Sequence, residues 1–101
     1  MKNIGKMMKQ AQEMQSQMAA IQKELEETIF EGSAGGVVTA KVSGAMDPVE
    51  IKISPEALEE GDVEMLEDMI LAALRSAQDA AKRASQEKMG PLMGGMGIPG
   101  L

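Results

Sequence analysis

The first 25 residues place apolar side chains at steps of three and four, the spacing of one face of an α-helix. The positions are Ile4, Met7, Ala11, Met14, Met18, Ile21 and Leu25. Steps that alternate over three repeats form a heptad seam, which indicates that this face packs against another element. We predict a helix from about Asn3 to Thr28, roughly 35–40 Å long.

After this helix the apolar spacing changes to two, the period of a β-strand. Ile29-Phe30 opens a first strand, and Ser33–Gly36 has the composition of a turn. Residues 37–42 and 49–53 each alternate apolar with polar side chains, on either side of a second turn at 44–48. Because the connections are short, we predict an antiparallel meander of three strands with one solvent-exposed face.

A second long helix is predicted after the strands. Ser54 and Pro55 favour a single helical turn, Gly61 interrupts it, and Asp62 is a suitable cap for the helix that follows. The apolar side chains on one face of this helix become smaller along its length. They are Val63, Leu66, Ile70, Ala73, Leu74, Ala77, Ala81 and Ala84. Small side chains permit close approach, so we expect the distal half to pack tightly against a partner element.

The fold class predicted from this order is α+β, with an α-β-β-β-α protomer in residues 1–88. Residues 89–101 are rich in Gly, Met and Pro and are predicted to be a disordered tail. A six-residue strand spans only about 20 Å, so the sheet covers part of each long helix. Apolar seams left exposed usually mark interfaces, and we predict a two-fold homodimer. The predicted interface is Met7, Ala11, Met14, Met18 and Ile21.

Charge sign depends on position along the chain, although the net charge is −6. Residues 1–23 carry four lysines against Glu13, a net of +3. Residues 24–68 carry thirteen acids against two lysines, a net of −11, and residues 69–101 carry four bases against two acids, a net of +2. The whole-chain charge is therefore a poor guide to binding partners.

The residue types present argue against an enzyme. The chain has no His and no Cys, which removes common nucleophile–base pairs, thiolate metal sites and disulfides. Acids around Glu59, Glu60, Asp62 and Glu64 lack the ligand spacing of an EF-hand and are interpreted as a solvated cluster. The glycine run at 32–36 lacks the Gly-Lys-Ser/Thr ending of a phosphate loop. We predict no catalysis, cofactor, metal or small-molecule substrate.

The lysines of the first helix form a stripe away from the seam. At 3.6 residues per turn, Lys2, Lys6 and Lys9 fall within an arc of about 60°. On the second helix, Arg75 and Lys82 share one face. Clustered cations without base-reading side chains suit contacts to phosphates, but solvated helix faces would give the same spacing. No apolar run approaches the roughly 18 residues of a membrane span, so we expect a cytoplasmic protein without a membrane partner.

Seven segments follow one another along nearly the whole chain. They are KMMKQAQEMQ at 6–15, EGSAGG at 31–36, VVTAKVSG at 37–44, IKISPE at 51–56, EDMILAAL at 67–74, AAK at 80–82 and the Gly/Met/Pro tail. No single segment is diagnostic, but the ordered set is specific, and it resembles the YbaB/EbfC family of bacterial nucleoid-associated proteins.

The resemblance implies a tweezer-like homodimer whose long helices project as arms. It implies a nucleoid protein that binds double-stranded DNA with limited sequence preference and alters its conformation, with roles in nucleoid organisation and gene regulation. The DNA contacts implied by the family are basic residues of the arms, here Lys2, Lys6, Lys9, Lys82, Arg83 and Lys88.

The strongly acidic centre of the chain would repel phosphate, so DNA contact is expected on the arms alone. The same acidity leaves a second hypothesis open. In that alternative the chain is a protein-interaction adaptor that uses its helix arms and Met-rich tail and does not bind DNA.

Overall fold

The element order matches the prediction: helix, three strands, one helical turn and a long helix. The computed structural model describes residues 2–59 and 61–94, the side chains of residues 2 and 92–94 excepted. The elements are α1 (Lys2–Glu27), β1 (Ile29–Ala34), β2 (Val38–Ser43), β3 (Pro48–Ile53), α2 (Pro55–Glu59) and α3 (Val63–Gly94). The α+β protomer is thereby confirmed.

The three strands form an antiparallel sheet in the order β1-β2-β3. The predicted first turn began at Ser33, but β1 continues to Ala34, and the chain reverses at Gly35 and Gly36. Both glycines have positive φ (60° and 70°), and the Val37 N–H donates to the Ala34 carbonyl. This geometry matches a tight hairpin turn that glycine adopts readily, which explains why the turn lies there.

The core lies between α3 and the first two strands. Val38, Ala40 and Val42 of β2 are buried, and they pack against the alanine stripe of α3, namely Ala73, Ala77 and Ala81. Gly32 of β1 faces the same stripe, and a β-carbon there would lie 2.3 Å from the Ala77 nitrogen. The small residues of α3 therefore pack closely on the sheet of their own protomer.

The C-terminal end of α1 is joined to the end of β2. Leu25 is buried, and a β-carbon on Gly44, just after β2, would lie 1.9 Å from the Leu25 carbonyl oxygen. The Gly44 N–H donates to the Thr28 carbonyl at 3.1 Å, and the Thr28 hydroxyl donates to the Glu24 carbonyl. These contacts fix the direction in which α1 leaves the sheet.

The last helix is longer than the predicted domain. Asp62 caps it as expected, because its Oδ1 accepts a hydrogen bond from the Met65 N–H at 3.0 Å. At the other end α3 continues past Lys88 to Gly94, so residues 89–94 are helical and not disordered as predicted. Pro91 lies within this last stretch of the helix and removes one backbone hydrogen-bond donor, and Met89 is half-buried. Residues 95–101 of the predicted tail lie outside the described residues.

Candidate nucleic-acid interface

The two long helices leave the sheet at the same end. Leu25 of α1 meets the turn after β2, and Ala81 of α3 packs beside Val42, the last buried residue of β2. Beyond that point the Lys88 Nζ donates to Glu24 Oε1 at 2.7 Å, which joins the helices as an ion pair. The protomer measures 72 × 28 × 15 Å. We call the parts beyond the sheet, residues 2–24 and 82–94, the arms.

The apolar seam of α1 is covered only in part. Of the five predicted interface residues, Met14, Met18 and Ile21 are half-buried within the protomer, in line with the buried Leu25. α1 contacts α3 of the same chain, so α3 lies beside this part of α1, a contact that apolar spacing does not predict. Met7 is 65% exposed and Ala11 is exposed. The use of these residues in a dimer stays a prediction.

The α1 arm exposes Lys6 and Lys9, which lie one helical turn apart. Leu25 is the last anchored residue, so Lys6 lies about 28 Å from the sheet at 1.5 Å per residue. Beside Lys9 the helix surface continues with Gln12, Glu13, Ser16 and Gln17, which line a shallow depression. Apart from Glu13 these neighbours are uncharged, and amides and hydroxyls are ordinary partners of phosphate oxygens. Lys2 is the first residue of α1.

The α3 arm presents its predicted cations in three different settings. Lys82 is exposed on the helix surface. Arg83 lines a shallow depression together with Arg75, Asp79 and Glu31. Lys88 is bound to Glu24. The structure therefore does not gather the five predicted cations whose side chains are described into one patch, and acids lie close to Lys9, Arg83 and Lys88.

Arg75 lines the same depression as Arg83 but was not among the predicted DNA contacts. The signal was present in the sequence, because residues 75, 79 and 83 are spaced by four and therefore share one side of a helix. Asp79 stands between the two arginines in this row. An acid in that position lowers the attraction of the row for phosphate, so Arg75 and Arg83 form a weaker candidate contact than the α1 lysines.

The lysines of the sheet are placed differently from those of the arms. Lys41 lies on the open face of the sheet, with its Nζ 3.3 Å from Glu50 Oε2. The register also sets Lys41 opposite Glu31 on β1. Since Glu50 and Glu31 lie beside it, Lys41 adds little net positive charge to this surface.

Other binding chemistries find little support in residues 2–59 and 61–94. That part of the chain contains no cluster of three or more acidic, His or Cys side chains that could hold a metal ion. It also contains no helix that is long and apolar enough to cross a membrane. Neither observation bears on residues outside this part.

Comparison with known proteins gives a consistent result. The model of the YbaB/EbfC DNA-binding family matches residues 1–96. A nucleoid-associated protein of Clostridium perfringens (strain SM101 / Type A) is 49% identical over 102 residues, which cover 100% of this chain and 91% of that protein. A nucleoid-associated protein of Dictyoglomus thermophilum is 46% identical over 100 residues, which cover 98% and 96%.

The fold also has a counterpart among solved structures. The crystal structure of the uncharacterized protein HP0035 from Helicobacter pylori aligns with a TM-score of 0.74 at 19% sequence identity. The alignment covers 89% of this chain and 96% of that chain, and it bears on the fold alone. With the family match over residues 1–96 and relatives close to half identical, the chain belongs to the YbaB/EbfC DNA-binding family, which is not a family of enzymes.

Proposed function

We propose that this protein binds double-stranded DNA through the arms of a homodimer and alters the conformation of the DNA with limited sequence preference. The observation that carries the proposal is the position of Lys6 and Lys9. Both are exposed on a helix that extends well beyond the sheet, away from the acids of the central region. Family membership supports DNA as the polyanion.

The chemistry of the arm suits the DNA backbone better than base edges. Lysine binds phosphate as a flexible point charge, and each phosphate contact releases condensed counterions. The stripe of Lys2, Lys6 and Lys9 supplies up to three such contacts per protomer. Each contact changes the slope of log affinity against log salt by about 0.9. Because three contacts are few, one protomer alone would bind DNA weakly.

A homodimer doubles the number of arms and fixes their separation. Two α1 arms on one duplex would favour a bend that brings phosphates to both, whereas arms on separate duplexes would bridge them. The central region, residues 24–68, carries a net charge of −11 and would repel DNA between the arms. We therefore expect contact at two separated places and not along one continuous surface.

The place of action follows from the proposed partner. A DNA-binding protein whose relatives are named nucleoid-associated proteins is expected in the bacterial nucleoid, within the cytoplasm. Changes in DNA conformation at that site would affect nucleoid organisation and gene expression. Fluorescence microscopy of the tagged full chain beside a DNA stain would measure its location. A signal that is absent from the stained nucleoid would contradict the expected location.

The test of binding compares two double variants with the same change in charge. Lys6→Gln/Lys9→Gln removes arm cations, and Lys41→Gln/Lys52→Gln removes sheet cations. In fluorescence anisotropy with a labelled duplex at constant salt, the arm variant should bind at least about tenfold more weakly, and the sheet variant should bind like the unaltered protein. Equal losses would contradict the proposal. An intact protein that fails to bind even at low salt would favour the adaptor alternative.

A further inference from the structure

The outer face of α3 carries a row of charges that alternate in sign. Its four members are exposed and follow one another at intervals of four residues: Arg75, Asp79, Arg83 and Glu87. We call them the α3 charge row. Residues spaced by four lie on one side of a helix. The alanine stripe that packs on the sheet lies about 140° around the same helix, so the row faces away from the sheet.

The charges of this row have no ion-pair partner in their own protomer. In residues 2–59 and 61–94 the ion pairs are those of Lys41 with Glu50 and of Lys88 with Glu24. Neither pair includes a member of the row, although a helix allows pairs between residues four apart. All four charges are therefore available to a partner.

A row of small residues runs beside the charges. Ala72, Ser76 and Ala80 are also spaced by four, and they line a shallow depression together with Glu31 and three members of the charge row. Ala72 and Ser76 are exposed, and Ala80 is half-buried. Rows spaced by four form the ridges and grooves by which helices pack, and short side chains let a second helix approach closely. This face therefore has the shape of a helix-packing surface.

The alternation of sign decides which partner fits this face. DNA phosphates would be attracted by Arg75 and Arg83 but repelled by Asp79 and Glu87. A protein segment of a single charge sign would meet the same conflict. A matching partner needs the reverse order of charges, and an antiparallel copy of α3 has that order.

We propose that α3 of one copy packs antiparallel on α3 of a second copy through this outer face, with a two-fold axis at the level of residue 81. In this register Arg75 lies opposite Glu87 of the second copy, and Asp79 lies opposite Arg83 of the second copy. The symmetry repeats each pair. The same patch is used on both copies, as a two-fold contact requires.

The α3 contact is additional to the homodimer of the proposed function. Lys88, which binds Glu24 of α1, lies on the same side of α3 as the alanine stripe. The sheet and α1 therefore both lie on the inner side of α3 and leave its outer side open. A homodimer would carry two such outer faces, so the contact would link homodimers into tetramers or longer assemblies. The size of the assembly rests on the proposed homodimer, whereas the α3 contact does not.

The first test is the molar mass of the full chain in solution without DNA, measured by light scattering over a range of protein concentrations. At about 1 M salt the screening length shrinks to about 3 Å, so the mass should be that of the unassembled protein. At about 50 mM salt the mass should rise above this value as the concentration increases. A mass that depends on neither salt nor concentration would overturn the proposal.

The second test reverses single charges of the row. Asp79→Arg sets an arginine opposite Arg83 of the second copy, and Arg83→Asp sets an aspartate opposite Asp79. Both variants should keep the mass of the unassembled protein at low salt. Glu67→Arg is the matched control, because Glu67 is exposed on the same helix about 120° around from Asp79. It should assemble like the unaltered protein, and a loss equal to that of Asp79→Arg would overturn the proposal.

The third test mixes the two row variants in equal amounts. In a mixed pair the arginine introduced at position 79 lies opposite the aspartate introduced at position 83, and the natural Asp79 and Arg83 face each other. The mixture should recover the mass that neither variant reaches alone, which misfolded variants could not do. A mixture that stays unassembled would overturn the proposal.

The mixture also separates this proposal from the proposed function. Its recovery reports the α3 contact whether the unit that assembles is a homodimer or a monomer, and it is measured without DNA. Failure of the proposed function would instead be seen as the absence of duplex binding, which leaves the recovered mass unchanged.

Discussion

At Gly32 the backbone of β1 crosses α3 without room for a side chain. The nearest atoms to an added β-carbon are the Ala77 nitrogen at 2.3 Å and the Ala73 oxygen at 2.6 Å, both backbone. Backbone atoms of a packed helix cannot move aside as a flexible side chain can. The close approach of sheet and helix is thus a property of single residues: one glycine on the strand and alanines on the helix.

A pair of glycine substitutions tests this point. Gly32→Ala should destabilise the protein by about 3 kcal/mol or more, because overpacking here would displace the helix from the sheet. Gly5→Ala is the control, since nothing lies within 4 Å of its added β-carbon. Gly5 lies within α1, so this change should stabilise by up to about 1 kcal/mol. Urea unfolding followed by circular dichroism measures both, and equal effects would contradict the packing described.

A smaller loss of stability is expected from substitution of the capping residue at the start of α3. The Asp62 carboxylate accepts a hydrogen bond from the Met65 N–H, an arrangement in which the cap satisfies an otherwise unpaired donor. Asp62→Ala should therefore lower the free energy of unfolding by about 1 kcal/mol, whereas Asp62→Asn should lower it by much less. The same urea unfolding experiment measures both. A loss as large in the asparagine variant would show that the capping bond is not the cause.

At the level of elements, apolar periodicity predicted most of what the structure shows. Spacings of three and four predicted α1 and α3, and a spacing of two predicted the strands and their buried face. The pattern identifies which face of an element is apolar but not what covers it. The packing of α1 beside α3 was missed for this reason. Likewise, the Gly, Met and Pro content of residues 89–94 indicated disorder and did not predict the helical turns found there.

The candidate site was less predictable than the fold. Helical spacing alone places Lys6 and Lys9 one turn apart on α1, because neighbours on a helix depend only on their separation in the sequence. The ion pair of Lys88 with Glu24 joins residues 64 positions apart, and no local pattern reveals it. For the same reason the sequence reveals Asp79, one helical turn from Arg83, but not Glu31, which lines the same depression. Long-range neighbours decide how much charge each cation offers to DNA.

The ion pair between the arms leads to a prediction at this level. Glu24→Gln removes the acid that holds Lys88, so DNA affinity should rise, with a salt dependence steeper by up to about 0.9 per protomer. Stability should fall by no more than about 1 kcal/mol, since both groups are solvent-exposed. Glu26→Gln, with the same charge change two residues away, should raise the affinity less. Identical gains would show that Lys88 is not released by the substitution.

At the scale of the whole molecule, positive and negative charges occupy different parts of the fold. The positive ends of the chain lie on the arms that leave one end of the sheet, and the acidic segment builds the sheet, α2 and the start of α3. The proposed homodimer would present two sets of arms around a negative centre. The net charge of −6 therefore does not conflict with DNA binding, because the two signs occupy different parts of the molecule.

The most direct test of this account is the salt dependence of duplex binding between about 50 and 200 mM, measured for the unaltered protein and for Lys6→Gln/Lys9→Gln. The unaltered protein should lose affinity steeply as salt rises. In the proposed homodimer the variant removes about four arm cations, so the slope of log affinity against log salt should be shallower by about 2 to 4. Affinity that stays constant over this range, or a slope that the substitution leaves unchanged, would contradict DNA binding through the arms.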